Sequence, residues 1–333
     1  MSQASLNETA RALVAPGKGI LAADESSPTI KKRFDSIKVE STEENRRDYR
    51  NMLFTTPGAA SYISGVILFD ETIRQSSADG KPLVEILTDT GIIPGIKVDK
   101  GAKPLAGCAD EKVTEGLDGL RERLQEYRKL GARFTKWRAV YSINETLPSA
   151  TAVAVNAHAL ARYAALAQEA GLVPIVEPEV LMDGSHDIDD CEAVSEEVLL
   201  SVYAELALQG VELEGTLLKP NMILSGTDCP EQADVEEVAA RTIKVLKRAV
   251  PAAVPGIVFL SGGQSDEVAT LHLNAMNRHE NLPWKLSFSY GRALQASPLK
   301  AWSGKSGNLK VAQEAFLERA KANGLATLGQ YSA

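Results

Sequence analysis

Eight short runs rich in β-forming residues recur along the chain, and their spacing limits the fold more than any other feature. They are GILAAD (19–24), SGVILFD (64–70), IPGIKVD (93–99), FTKWRAV (134–140), VPIVEPEV (173–180), GTLLKPN (215–221), GIVFLSGG (256–263) and KLSFSYG (285–291). Successive starts lie 45, 29, 41, 39, 42, 41 and 29 residues apart, room each time for a loop, a helix and a second loop. Several gaps carry helical periodicity. EGLDGLRERLQEYRKLG closes on Gly131, NAHALARYAALAQEAG closes on Gly171, and VEEVAARTIKVLKRAV leads into Pro251. Strand–helix alternation of this length implies parallel strands joined by right-handed crossovers. Eight such units fit an α/β chain closed into a (β/α)8 TIM barrel better than an open sheet. No G-x-G-x-x-G follows the first run and no G-x-x-x-x-G-K-[ST] occurs, so open nucleotide-binding sheets lose support.

The first 18 residues and the segment after residue 300, with the helical stripe of NLKVAQEAFLERAKANG, read as helical additions to that barrel. No Pro/Gly/Ser-rich linker or low-complexity tract marks a boundary, so residues 1–333 read as a single domain. No apolar run approaches the ~20 residues of a membrane span. The N-terminus lacks a positive segment before an apolar core, so it does not read as a secretory signal. Cys108, Cys191 and Cys229 are odd in number and widely spaced, which fits reduced thiols in a reducing compartment, the cytoplasm. A net charge of −8 argues against nonspecific binding to nucleic acid or a membrane surface. An anionic substrate would then need a local cluster of Lys and Arg.

No metal site is expected. The four histidines form no H-x-x-x-H, and the acidic stretch DGSHDIDDCE (183–192) opens a helical pattern, where carboxylates suit capping and the helix dipole.

What ends the eight runs points to chemistry. Asp24, Lys97, Lys136, Glu177, Lys219, Ser261 and Ser289 stand at or near the C-terminal ends of seven of them. In a barrel those ends converge on the face where such enzymes place their active sites. A lysine at a strand end, taken alone, is an ordinary surface residue. Seven polar residues at one topological position are not ordinary. Alternation puts Lys136 and Arg138 on one face of their strand and Glu177 and Glu179 on one face of theirs. Lysines crowded in a dry pocket repel one another, so one can lose its proton and act as an amine nucleophile, with a carboxylate beside it to move protons. The glutamates read equally as a salt-bridge network that holds the lysines. LSGGQS (260–265) and SYGRALQAS (289–297) fall where this fold binds phosphate, after the seventh and eighth strands. A second basic set, Lys32 and Arg33 in ESSPTIKKRF (25–34) and Lys97, would suit a second phosphate; for Lys31 and Lys32 a solvated helix face is an equal reading.

With these residues in place, the chain resembles the class I, Schiff-base, metal-independent fructose-1,6-bisphosphate aldolases. GKGILAADES (17–26), STEENRR (41–47), GVILFDET (65–72), GIKVDKG (95–101), KWR (136–138), VPIVEPEV (173–180), LEGTLLKPNM (213–222), FLSGGQS (259–265) and FSYGRALQ (288–295) carry the likeness, which runs from about residue 5 to 331. The resemblance implies reversible cleavage of fructose 1,6-bisphosphate to dihydroxyacetone phosphate and glyceraldehyde 3-phosphate, with no cofactor. It implies that Lys219 forms the imine, that Glu177 is the general acid/base, and that Asp24 contacts the C4 hydroxyl and shares in its deprotonation. Lys136 and Glu179 complete the charge network, with Arg138 beside it. Ser261, Gly262, Gly291 and Arg292 would hold the C1 phosphate with Ser289 nearby, and Ser26, Thr29, Arg33 and Lys97 the C6 phosphate.

Animal members carry a longer tail that ends in a tyrosine implicated in proton transfer at C3. This chain stops at LGQYSA, Tyr331 matches an earlier position, and protonation of the enamine falls to another group or to water. The short tail and plain N-terminus resemble bacterial members or a processed plastid form, and the family suggests a homotetramer. Two other functions compete: a sugar-phosphate isomerase on the same barrel, with the lysine acting only through its charge, and a binding protein that has lost catalysis. A borohydride-trapped adduct on Lys219 separates the aldolase from the isomerase, and turnover with and without EDTA separates it from a metal-dependent aldolase and from a silent scaffold.

Overall fold

Eight parallel strands close on themselves in the computed structural model, which describes residues 3–332. They are β1 (Gly19–Ala23), β2 (Ile63–Leu68), β3 (Ile93–Lys97), β4 (Phe134–Tyr141), β5 (Val173–Val180), β6 (Leu217–Leu218), β7 (Gly256–Phe259) and β8 (Lys285–Tyr290). Neighbours follow chain order around the ring, and β8 pairs with β1 to close it. All eight runs read from the sequence are strands of the barrel. GTLLKPN is the one that shrinks most. Only Leu217 and Leu218 join the ladder, because Pro220 has no N–H to donate to it.

Helix α1 (Gln3–Leu13) precedes the barrel; α2 (Ser27–Ser36) and α3 (Glu43–Phe54) follow β1. Helices α4 (Asp70–Ile73) and α5 (Leu83–Asp89) follow β2, and α6 (Leu120–Lys129) follows β3 after a hairpin of Ala102–Pro104 with Lys112–Thr114. Then come α7 (Ala150–Glu169), α8 (Ile188–Leu208), α9 (Val235–Ala249), α10 (Asp266–Met276) and α11 (Arg292–Trp302), one after each remaining strand, and finally α12 (Leu309–Ala326).

Strand alternation separates two cores. Leu21, Ala23, Trp137, Val176, Leu218, Ile257, Phe259, Phe288 and Tyr290 face outward into the layer shared with the helices. Ile20, Ala22, Ile67, Phe134, Val173, Ile175, Leu217 and Val258 face inward, and Leu6, Ala10, Leu13 and Val14 plug the N-terminal mouth beneath them. Each Val, Leu, Ile or Phe side chain among them contributes about 1.5–3 kcal/mol when taken from water, before entropy is charged against it. Glycines make room for the inward core and for the plug. A Cβ on Gly95 would stand 2.3 Å from the Phe134 ring, and one on Gly256 would stand 2.6 Å from Val14.

The inward positions change character along each strand. Phe134 is followed inward by Lys136 and Arg138, Val173 and Ile175 by Glu177 and Glu179, and Leu217 by Lys219. On β1, Ile20 and Ala22 give way to Asp24. An apolar floor therefore carries a charged upper layer, and the side-chain period of two fixes which residues enter it.

Candidate active site

A cleft of about 650 Å³ opens at the C-terminal ends of the strands. All fifteen residues singled out as catalytic or substrate-binding line it: Asp24, Ser26, Thr29, Arg33, Lys97, Lys136, Arg138, Glu177, Glu179, Lys219, Ser261, Gly262, Ser289, Gly291 and Arg292. Lys31 and Lys32 do not. Lys31 pairs with Asp35 on the exposed face of α2, and Lys32 is exposed beside it.

Four strand ends build the centre. The backbone N–H of Lys219 donates to Val176 at 2.8 Å, which draws the residue after β6 in against β5. Its Nζ then lies 3.1 Å from Glu177 Oε1. The other oxygen of Glu177 lies 3.2 Å from Lys136 Nζ, which also reaches Asp24 Oδ2 at 2.7 Å. The result is an alternating row, Lys219–Glu177–Lys136–Asp24. Both lysines and Glu177 are within 5% of full burial.

Burial disfavours every charge in this row, so the pairing decides the outcome. At Lys136, burial is outweighed by Asp24, Glu177 and Asp99, which hold its pKa well above the ordinary lysine value. At Asp24, burial is outweighed by Lys136, Lys219 and Lys97, and the carboxyl lies well below the usual range. Glu177 is likewise lowered, with burial opposed by Lys136, Lys219 and Arg138. Lys136 is thus fixed as a cation between two carboxylates. Lys219 has one.

Two residues that the sequence reading did not single out belong to this centre. Asp99, two positions beyond Lys97, pairs with it at 3.4 Å and accepts the backbone N–H of Arg138 at 3.3 Å. Strand alternation alone could have found it. Glu25 follows Asp24 but turns to Arg33 Nη1 at 2.5 Å and Gln295 Nε2 at 2.7 Å. No local pattern announces those partners.

Anion-binding geometry flanks the row. Helices α7, α8, α9 and α10 are each capped by a side chain, namely Ser149, Asp187, Asp234 and Ser265. The Asp187 cap accepts from Asp190 N at 2.9 Å, as the acidic stretch suggested. Helices α11 and α2 have no side-chain cap: Gly291 stands at the first N-terminus and Ser26 at the second, and both line the cleft. Orphan N–H groups at a helix start are a ready site for phosphate. Arg292 Nη2 donates to Gly262 O at 2.8 Å and joins the loops after β7 and β8, and Gly262 holds a φ of +54 that favours glycine. Ser289 Oγ is buried and has no partner among the described residues. At the other end Ser26 Oγ and Thr29 Oγ1 lie 3.2 Å apart. Arg33 is nearer the α11 end than its grouping with Ser26 implies: a Cβ on Gly291 would stand 3.4 Å from its Nη2.

Tyr331 is held away from this row. Its backbone N–H donates to Asn274 Oδ1 at 2.9 Å on α10, and it does not line the cleft.

The family model for class I fructose-bisphosphate aldolase matches residues 5–333. A probable class 1 fructose-bisphosphate aldolase of Xanthomonas campestris pv. campestris is 62% identical over 332 residues, 99% of each chain. The cytosolic fructose-bisphosphate aldolase 5 of Arabidopsis thaliana is 60% identical over 98% of this chain and 91% of its own. Among solved structures, the fructose-bisphosphate aldolase of Plasmodium falciparum, crystallised with TRAP and a small-molecule inhibitor, superposes with a TM-score of 0.98 at 52% identity, over 99% of this chain and 96% of that one. A lysine–carboxylate row in the mouth of a parallel barrel and a match over nearly the whole chain point the same way: this chain belongs to the class I fructose-bisphosphate aldolase family.

Proposed function

We propose that Lys219 is the amine with which this lyase cleaves fructose 1,6-bisphosphate to dihydroxyacetone phosphate and glyceraldehyde 3-phosphate, and that Glu177 is its proton-transfer partner. The observation that carries the assignment is the asymmetry of the two buried lysines. Lys136 touches two carboxylates and its pKa is raised, so it stays charged. Lys219 touches one, 3.1 Å away, which is within reach of a proton transfer.

The family resemblance supplies the sequence of steps, and that geometry is compatible with it. Glu177, ionised at rest, accepts the proton of Lys219, and the free amine attacks the C2 carbonyl. Glu177 then delivers a proton to the departing C2 hydroxyl, water leaves, and a protonated imine remains. Asp24, ionised beside Lys136, contacts the C4 hydroxyl and shares with Glu177 in removing its proton. The C3–C4 bond breaks, its electrons move to the imine nitrogen, and glyceraldehyde 3-phosphate departs. Protonation at C3 and hydrolysis return dihydroxyacetone phosphate and the amine. Lys136 and the Arg138–Glu179 pair (2.5 Å) hold the field in which these charges move.

Ser261, Gly262, Gly291 and Arg292 bind the C1 phosphate, with Ser289 offering its unpartnered hydroxyl. Ser26, Thr29 and Lys97 bind the C6 phosphate, and Arg33 reaches toward both. The chain works as one domain in the cytoplasm, the place that the names of its plant relatives give, and as a homotetramer, which sedimentation would test.

Borohydride reduction with dihydroxyacetone phosphate is the deciding experiment. We expect one adduct, on Lys219. No adduct, or one on Lys136, would overturn the assignment. Turnover should be unchanged by EDTA.

A further inference from the structure

Met182 follows β5 in the segment that leads to α8, and its thioether sits on the phosphate loop. Its Sδ accepts the backbone N–H of Gly263 at 2.8 Å. Cβ atoms built on Gly262 and Gly263 would stand 3.3 and 2.8 Å from the same sulfur. The sulfur therefore occupies the N–H that the Ser261–Gly263 loop would offer to a phosphate oxygen. A thioether is a weak acceptor, so a phosphate dianion can displace it.

Met182 also differs from the other described methionines in access. Met52, Met222 and Met276 are 0–1% exposed in the core, whereas Met182 is half-buried and lines the cleft. Met182 is the one sulfur among the described residues that lines the cleft a small oxidant would enter.

We propose that Met182 is a site of reversible oxidation that controls affinity for the phosphorylated substrate. The oxidant is a hydroperoxide. The sulfur gives two electrons to the peroxide, the O–O bond breaks, one oxygen stays on sulfur as the sulfoxide, and the other leaves as the alcohol, or as water where the oxidant is hydrogen peroxide. The S–O group is a far stronger acceptor than the thioether it replaces. It holds the Gly263 N–H against the incoming phosphate and adds bulk where the loop has room only for glycine. Chemistry at Lys219 is untouched. The inference rests on the reading of residues 261–263 as a phosphate cradle.

The test is to treat the whole enzyme with hydrogen peroxide, restore its cysteines with a thiol reductant, and map oxidation by peptide mass. Met182 should gain one oxygen ahead of Met52, Met222 and Met276. KM for the bisphosphate should rise about tenfold, the value of one hydrogen bond to a charged acceptor, with kcat kept. A methionine sulfoxide reductase should restore KM, and peroxide should not change the KM of Met182→Leu. Oxidation of Met182 with KM unmoved overturns the proposal, as does an equal rise in Met182→Leu. Arg292→Ala, assayed in parallel, separates the two readings. If it binds bisphosphate normally, the cradle reading falls; if it binds weakly while the sulfoxide form binds normally, only the Met182 inference falls.

Discussion

Two clusters in this molecule share a glutamate between cations, and they differ in how far water reaches them. In the barrel mouth, Glu177 lies between Lys219 and Lys136. On the outside, where α8 meets α9, Glu192 takes Arg241 Nη1 at 2.9 Å and pairs with Lys244, with Arg248 at 4.0 Å. The glutamates are similarly buried. The cations are not: the side chains of Lys219 and Lys136 are each 5% exposed, those of Arg241 and Lys244 28% and 44%. Water solvates the outer cations and screens them, whereas in the mouth each charge depends on its neighbour. Carboxylate crowding alone is therefore a poor mark of a working site. Burial of the cation is the better one.

The sharpest way to break this contrast is at Lys219. Lys219→Met keeps the volume and the apolar stem, and Glu177 retains Lys136 as a partner, so the fold should survive. Cleavage should fall by several orders of magnitude and borohydride should trap nothing. Near-normal turnover with an unchanged melting temperature would end the nucleophile assignment.

Glu177→Gln is the next largest. The amide keeps the shape and loses the proton transfer, a step worth about 10²–10⁴ in rate. Single-turnover imine formation should slow by that factor while substrate still binds. A loss confined to KM would make Glu177 a structural partner of the lysines instead.

Lys136→Met tests the electrostatics by pH. Burial pushes Glu177 and Asp24 up, and Lys136 is the first charge that pulls each of them down. Without it both carboxyls rise, so the acid limb of kcat/KM should move to higher pH. The stability sign follows. A carboxyl lowered in the folded state contributes stability above its unfolded pKa, which is lost as pH falls through its folded value; a raised lysine contributes below its unfolded pKa. Both contributions are present between about pH 4 and 10. The melting gap between wild type and Lys136→Met should be widest there and close in acid, once the stranded carboxylates protonate. A gap that does not change with pH would mean that packing, not charge, is what Lys136 supplies.

The barrel was legible because strand spacing and strand-end polarity are local properties of the chain. Even so, GTLLKPN looked like a full strand, and only two of its residues pair, because Pro220 cannot donate to the ladder whatever the β-forming character of its neighbours. The charged layer was legible from the period of two. The choice between Lys136 and Lys219 was not: spacing treats them alike, and only the family resemblance favoured Lys219. The physical distinction lies in carboxylate count, which needs Asp24 and Glu177 in three dimensions. Asp99 was within reach of the alternation rule. Glu25 was not, since its partner Gln295 is 270 residues away. Met182 carries no local signal, because its meaning comes from Gly263 on another strand's loop.

The smallest effect belongs to the outer cluster. Arg241 touches Asp189 at 2.6 Å, Glu192 at 2.9 Å and Glu237 at 3.3 Å, a denser set of carboxylates than either lysine meets in the mouth. If the number of contacts governed energy, Arg241→Gln would be the more damaging change. If exposure of the cation governs it, each solvated pair is worth about 1 kcal/mol or less, and Glu192 still keeps Lys244. We expect kcat and KM to stay near wild type and the melting temperature to fall by a few degrees at most. Salt supplies the final discrimination. The stability gap for Arg241→Gln should shrink as ionic strength rises, because solvent ions reach the exposed guanidinium, whereas the gap for Lys136→Met should persist, because they do not reach a lysine buried over the barrel floor. Equal salt sensitivity in the two variants would show that burial of the cation is not what separates the cluster in the mouth from the outer one.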